Sequence, residues 1–293
     1  MKRLIITGEM RSGTTFLSHF LNSQNNINVY ADFMRSILGY DEYLNKSFQF
    51  NEPLNTQIKN RIISSFKAEA RLKGLDYSRQ FQDKNYTIND ILDIAFEKLF
   101  TETGSELVGV KRTGYITSIC QLLDNNYKII YLVRDPRDVC FSAKNRFGGF
   151  NKYKFLNSWM KSTSGALAIN HENFYLLKFE DLIKDKNQSL KELEKFIGIE
   201  LSSKIDKLND TTGLDFQDNS SFNDINTLFD EKAVQRYKMI DKKETIYIDA
   251  IANEQMIKMG YVPRLVNRKI QIRENFSYYK NIYLKELKNL LKS

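Results

Sequence analysis

The chain has 293 residues, 42% of them hydrophobic and 13% aromatic, with only three prolines. That is enough apolar material for one large α/β domain or two small ones, and it excludes a wholly disordered chain. The net charge of +8 is concentrated in residues 264–293, which carry eight Lys and Arg against two acidic residues, so the basic balance describes a tail and not the body. The apolar run after Lys2-Arg3 is too short for a secretory signal, and no stretch approaches the roughly 18 apolar residues of a membrane span. Cys120 and Cys140 lack a Cys-x-x-Cys spacing, and His19 and His171 are the only histidines. The expectation is a cytoplasmic enzyme with reduced, buried cysteines and no metal cluster.

Leu4-Ile5-Ile6-Thr7 reads as a first strand, Gly8-Glu9-Met10-Arg11-Ser12-Gly13-Thr14-Thr15 as a Gly-rich turn, and Phe16 to Leu21 as the helix it opens. This order presents free backbone N–H groups and the positive end of a helix dipole at the turn, which makes an anion site. The spacing is that of a phosphate-binding P-loop, but Thr14 stands where nucleotide-hydrolysing loops carry lysine. Ile27 to Tyr30 is a short second strand. From Met34 to about Gly104 the pattern turns helical and polar, with Ile58, Ile62, Ile63 and Phe66 and then Ile91, Ile94, Ala95 and Leu99 at helical spacing.

Leu107 to Val110 reads as a third strand, Gly114 to Leu123 as a helix, and Lys128 to Val133 as the clearest strand in the chain. Phe155 to Ala168 is a helical run, Phe174 to Phe179 a further strand, and Ser189 to Gly198 a helix closed by glycine. Strands alternating with helices imply a parallel, doubly wound sheet, whose ligands bind beyond the carboxyl ends of the strands. Asn209 to Asp230 is a long polar segment of the kind that is functional or disordered.

A second anion site is expected where Arg134-Asp135-Pro136-Arg137-Asp138-Val139 follows the clearest strand. Pro136 suits a first helical turn, so Arg134 from the strand end and Ser142 from the second turn are placed to reach one anion. The competing reading is a surface ion-pair cluster. Beside a P-loop, two phosphate sites are the better account.

Two such sites without a P-loop lysine resemble the sulfotransferases that use 3′-phosphoadenosine 5′-phosphosulfate (PAPS), closest to the bacterial carbohydrate and protein-tyrosine branch. Met10 to Thr15 resembles the family's 5′-phosphosulfate loop, and Arg134 to Val139 through Ser142 its 3′-phosphate motif. Phe179-Glu180-Asp181-Leu182 is similar to a family strand end, and Asn219 to Phe222 and Arg236-Tyr237-Lys238 are weaker echoes. The resemblance implies a three-layer α/β, P-loop NTPase-like fold with a central, mainly parallel sheet. It implies a sulfotransferase domain over residues 1–263, with a helical acceptor-binding insertion at 34–104, a mobile loop at 209–230 and a basic C-terminal helix at 264–293.

It also implies roles. Ser12, Gly13, Thr14 and Thr15 would cradle the 5′-phosphate, and Arg11 would meet the bridging oxygen as the sulfuryl group leaves, stabilising charge without donating a proton. Arg134, Ser142 and Arg146 would serve the 3′-phosphate or adenine side, and Tyr237 and Lys238 would close over the nucleotide. Asp32, 21 residues after Arg11, takes the place of a family glutamate as general base, oriented by Arg35; the competing reading is a helix N-cap. Lys111 would neutralise the transferring group. No metal is implied.

The aromatics Tyr40, Tyr43, Phe48, Phe50, Tyr77, Phe81 and Tyr86 offer either acceptor stacking or core, and the preferred acceptor is a carbohydrate or lipid hydroxyl. In the tail, Ile272, Phe276, Tyr279, Tyr283, Leu287 and Leu290 form one helical stripe, which fits a helix packed on the body, a homodimer contact, or an amphipathic helix on anionic lipid. Two other functional readings remain: a P-loop kinase, which Thr14 opposes, and a non-catalytic polyanion binder using the basic tail.

Overall fold

Leu4, Ile5 and Ile6 are fully buried in succession, as in a parallel strand covered on both faces. The computed structural model describes residues 1–38, 49–82, 84–114, 120–147, 151–202, 229, 231–239, 242–264, 272–274, 277, 278 and 280. In chain order these residues form β1 (Lys2–Gly8), α1 (Thr14–Asn22), β2 (Ile27–Ala31), α2 (Arg35–Leu38), α3 (Thr56–Leu72), α4 (Ile88–Thr103), β3 (Leu107–Lys111) and β4 (Tyr127–Val133). There follow α5 (Pro136–Phe147), α6 (Lys152–Leu167), β5 (Phe174–Lys178), α7 (Phe179–Lys184), α8 (Lys186–Ile197), α9 (Lys242–Ile251) and α10 (Asn253–Lys258). The five expected strands are all present and pair in parallel in the order β2-β3-β1-β4-β5.

The alternation of side chains divides the core into two layers. Leu4 and Ile6 of β1 with Ile130 and Leu132 of β4 pack on Phe16, Leu17, Phe20 and Leu21 of α1 and Leu190 and Leu193 of α8. On the opposite face, Ile5 and Ile129 meet α3 and α4 through Ile62, Phe66, Ile91 and Phe96. Tyr131 and Val133 extend that face to Val139 of α5, Trp159 of α6, Ile248 of α9 and Met256 of α10. Burial of each such side chain contributes about 1.5–3 kcal/mol. The result is the three-layer α/β fold that the resemblance implied.

Local chemistry starts the helices where the sequence allows it. The Thr87 hydroxyl accepts from the Asp90 N–H and the Asp90 carboxylate accepts from the Thr87 N–H, a capping box for α4, while Asn55 caps α3 by accepting from the Ile58 N–H. The helix expected from Gly114 to Leu123 is not formed as such in its described part. Gly114 has φ of +83° and its N–H is held by the Gly8 carbonyl at 3.0 Å, so the chain leaves β3 along the P-loop. Cys120–Asn125 then makes only a 3₁₀ helix before Asn126 turns left-handed into β4.

Because β1 lies between β3 and β4, the connections after β1 and after β3 leave in opposite directions. Such a switch point opens a crevice at the carboxyl ends of the strands. Of the expected 209–230 loop, only Phe229 falls among the described residues, where its ring packs edge-on against Phe16 and Phe20. The segment Asn219 to Phe222 lies outside them. In the tail, Tyr278 is buried and its hydroxyl bonds Asn157 of α6 at 3.0 Å, whereas Ile272 is exposed. The remainder of the tail stripe, from Phe276 and Tyr279 onward, lies outside the described residues. Cys140 is buried as expected, but Cys120 is only partly so, and neither is in a disulfide. No helix among the described residues is long and apolar enough to cross a membrane.

Candidate active site

The turn after β1 is shaped by two glycines at positions where a side chain would collide with its neighbours. A Cβ on Gly8 would lie 2.2 Å from the Leu132 carbonyl, and one on Gly13 would lie 2.4 Å from the Phe179 ring. Gly13, at φ +97°, opens α1 without a side-chain cap among the described residues, the arrangement an anion-binding helix N-terminus needs. The Ser12 N–H and hydroxyl both donate to the Glu9 carbonyl, at 3.2 and 2.6 Å, which closes the turn. Glu9 is itself a buried anchor: its carboxylate accepts from the Met10 N–H and from the Ser158 hydroxyl of α6. Sequence reasoning did not single out Glu9, whose partner lies 149 residues away.

Arg134 leaves the end of β4 into the protein. Its guanidinium donates to the Arg11 carbonyl at 3.2 Å and to the Ala233 carbonyl at 2.5 Å, lies 3.8 Å from Asp138, and stacks 4.6 Å from the Phe179 ring centre. It is 5% exposed, and its Nε finds no hydrogen-bond partner among the described residues. A buried N–H without an acceptor is costly, and an anion would complete it. Ser142, one turn into α5, is buried and accepts from the Arg11 Nε at 3.0 Å.

The site is strongly cationic. Burial and then the charges of Arg134, Arg146 and Arg236 hold the Arg11 guanidinium below its usual range. Burial lowers Arg134 as well, against the opposing charges of Asp138 and Glu180. The charge of Arg236, from the Arg236-Tyr237-Lys238 segment, bears on both arginines, and its guanidinium lies 5.2 Å from the Phe141 ring. The buried Asp138 carboxylate accepts from the Gln235 and Tyr237 N–H groups, each at 2.8 Å, and so fixes the turn that carries Arg236. Tyr237 lies with its ring 4.1 Å from the Arg137 guanidinium, while Lys238 and Arg146 are exposed. Asp135 binds Arg137 through both carboxylate oxygens, and Arg137 also meets Asp249, so this pair is structural.

A second cluster forms at the ends of β2 and β3. Asp32, in the left-handed region at φ +52°, donates its N–H to the Lys111 carbonyl and pairs its carboxylate with the Lys111 ammonium at 3.0 Å. The Arg35 guanidinium lies 3.8 Å from the same oxygen. Asp32 is therefore not the N-cap of α2: the first N–H groups of that helix are taken by Glu69. Lys111 is 4% exposed, and burial holds its ammonium below the usual range although Asp32 opposes that shift. Among the described residues, no group of three or more His, Cys, Asp or Glu side chains forms a metal-ligand set.

A parallel sheet with a Gly-rich anion loop after β1 and an arginine-bearing loop after the adjacent β4 defines a P-loop-like α/β protein. A family model described as the sulfotransferase family matches residues 3–203, more than half of the chain. The chain belongs to that family. Sulfotransferase 2A1 of Mus musculus is 27% identical over 124 residues, covering 36% of this chain and 43% of that protein, and its Rattus norvegicus counterpart is 28% identical over 127 residues. The chain thus spans less than half the length of the curated relatives it matches. Among solved structures, the sulfotransferase domain from the curacin biosynthetic pathway superposes with a TM-score of 0.55 at 20% identity, covering 89% of this chain and 98% of that one. The sulfotransferase domain from the Synechococcus PCC 7002 olefin synthase gives 0.52 at 14% identity, covering 95% and 94%. Both likenesses concern the fold.

Proposed function

We propose that this protein transfers a sulfuryl group from PAPS to an acceptor hydroxyl. The observation that carries the reading is the convergence of an uncapped helix N-terminus, the buried Arg134 and the charges of Arg11, Arg146 and Arg236 where the loops after β1 and β4 meet. Two separated anionic groups on one nucleotide fit this arrangement, whereas a nucleoside triphosphate would find Thr14 where a P-loop lysine is expected. Ser12, Gly13, Thr14 and Thr15 hold the 5′-phosphate; Arg134, Ser142 and Arg146 serve the 3′-phosphate, joined by Arg236; and Tyr237 and Lys238 flank the nucleotide. PAPS is the donor substrate: the acceptor oxygen forms a bond to sulfur while the bond from sulfur to the 5′-phosphate oxygen breaks, releasing adenosine 3′,5′-bisphosphate (PAP).

Asp32 takes the acceptor proton as general base. Lys111 keeps Asp32 oriented and offsets charge on the transferring group, and Arg11 stabilises the negative charge that builds on the leaving phosphate. Charge neutralisation thus falls to arginine and lysine, and no metal is assigned. For the acceptor we favour a hydroxyl of a carbohydrate or lipid-linked glycan. Phe50, Tyr77 and Tyr86 belong to the core and Phe81 packs against it, so they do not provide a stacking surface. Support comes instead from the polar mouth, where the Asp32 and Arg35 side chains are 47% and 57% exposed. Tyr40, Tyr43 and Phe48 lie outside the described residues. A cytoplasmic location remains part of this reading.

The test is transfer of radiolabelled sulfate from PAPS to a panel of sugars, glycolipids, phenols and sterols, with Asp32→Asn in parallel. The reading expects a labelled hydroxyl product from the wild type and a loss of about 100-fold or more in Asp32→Asn. Labelling of no class, or full labelling by the variant, would contradict it.

A further inference from the structure

The turn that carries Asp32 is an uncomfortable piece of backbone. Asp32 at φ +52° and Met34 at φ +58° are both left-handed and neither is glycine. Conformations of this kind persist only where surrounding contacts over-determine them. Two of these contacts come from α3. Phe33, fully buried between the two left-handed residues, packs its ring 5.4 Å from that of Phe66. One turn further along α3, the Glu69 carboxylate accepts from the Arg35 N–H through one oxygen and from the Ser36 N–H through the other, both at 2.8 Å. Phe66 and Glu69 lie three residues apart and so share one face of the helix.

Glu69 is half-buried, and burial pushes its carboxyl up from the ordinary range while the two N–H groups and the Arg112 charge pull it back. Its two acceptor oxygens match the two backbone donors that open α2. The consequence reaches Asp32, because the same turn fixes where its carboxylate meets Lys111 and where Arg35 stands.

We infer that Glu69 is a positioning residue for the reaction: its carboxylate clamps the Arg35 and Ser36 N–H groups and thereby holds Asp32 and Arg35 at the acceptor mouth. This rests on the reading of Asp32 as the base. It assigns a role to α3 beyond packing, since the helix then sets the geometry of the proton transfer through one side chain.

The experiment compares wild type, Glu69→Ala, Glu69→Gln and Asp32→Asn in two measurements that need no identified acceptor. One is PAP affinity by calorimetry. The other is the slow hydrolysis of PAPS to PAP, in which water takes the acceptor's place. The inference expects Glu69→Ala to lower kcat for hydrolysis about tenfold or more, with PAP affinity and the KM for PAPS within about twofold of wild type. Glu69→Gln, which keeps an oxygen able to accept one of the two N–H groups, should recover much of that loss. If Asp32→Asn hydrolyses PAPS as fast as wild type, the base reading fails. If Asp32→Asn is slow but Glu69→Ala is not, the clamp inference fails and the base reading stands. A fall in PAP affinity matching the fall in kcat also overturns the inference, because the effect is then general destabilisation. Should Glu69→Ala not fold, Glu69→Met, which keeps the length of the side chain but offers no oxygen to the two N–H groups, takes its place: a lower kcat at unchanged PAP affinity supports the inference, and an unchanged kcat overturns it.

Discussion

The Arg11 side chain donates from Nε to the Ser142 hydroxyl at 3.0 Å, joining the loop after β1 to the helix after β4 across 131 residues of sequence. Arg134 makes the reciprocal link by donating to the Arg11 carbonyl. The two anion loops are thus one hydrogen-bonded unit. Ser142→Ala removes the neutral member of this unit and leaves the charges, so PAP affinity should fall by about 3- to 30-fold. Calorimetry checks this, and a loss confined to turnover with unchanged affinity would place Ser142 elsewhere in the chemistry.

The Lys111–Asp32 pair should behave as one group in kinetics. Lys111 is buried and bonded to a carboxylate that is half-exposed, so removal of either partner disturbs the other. A double-mutant cycle with Lys111→Ala and Asp32→Asn, read as turnover, should show non-additivity of about 1 kcal/mol or more. Additive losses would mean that the two side chains act separately.

Gly13→Ala tests the fit of the anion loop against α7. The added methyl would meet the Phe179 ring at 2.4 Å, in a backbone at φ +97° that disfavours any side chain. The expected cost is about 2–4 kcal/mol of stability, seen as a lower urea midpoint, together with weakened PAP binding. A variant as stable as wild type would show that the loop has room to rearrange.

Glu180 supplies the pH dependence. Its carboxylate accepts from the Asp135 N–H at 2.9 Å and from the Tyr261 hydroxyl at 2.9 Å, and burial pushes its carboxyl up to about 7 from 4.5. The folded state therefore holds the proton more tightly than the unfolded state. Stability contributed by this proton is full below about pH 4.5 and is lost as pH rises through about 7. Glu180→Gln cannot titrate, so its stability relative to wild type should improve by about 1–3 kcal/mol between pH 5 and pH 8. Guanidinium unfolding at both pH values checks the sign; parallel behaviour of the two proteins would refute it.

The five strands, the Gly8–Gly13 loop and the Arg134–Ser142 motif could be read from the sequence because each depends on local pattern: apolar runs, glycine spacing, and proline at a first helical turn. The residues that hold the site together are different in kind. Glu9 reaches Ser158, Asp138 reaches the Gln235 and Tyr237 N–H groups, and Glu69 reaches the turn after Asp32, and no periodicity signals a carboxylate that meets distant backbone. The aromatics of the insertion were ambiguous for the opposite reason. Tyr77 and Tyr86 have the composition of a stacking surface, and only tertiary packing turns them inward. The bond from the Gly114 N–H to the Gly8 carbonyl, which takes Gly114 out of the helix expected there, is also long-range.

The central claim is that the loops after β1 and β4 together bind one nucleotide carrying phosphates at both the 3′ and 5′ positions. Calorimetry of PAP against ATP, with wild type and Arg134→Ala, tests it most directly. The account predicts that PAP binds at least about tenfold more tightly than ATP and that Arg134→Ala erases the preference. Tighter binding of ATP, or a PAP affinity indifferent to Arg134, would contradict it.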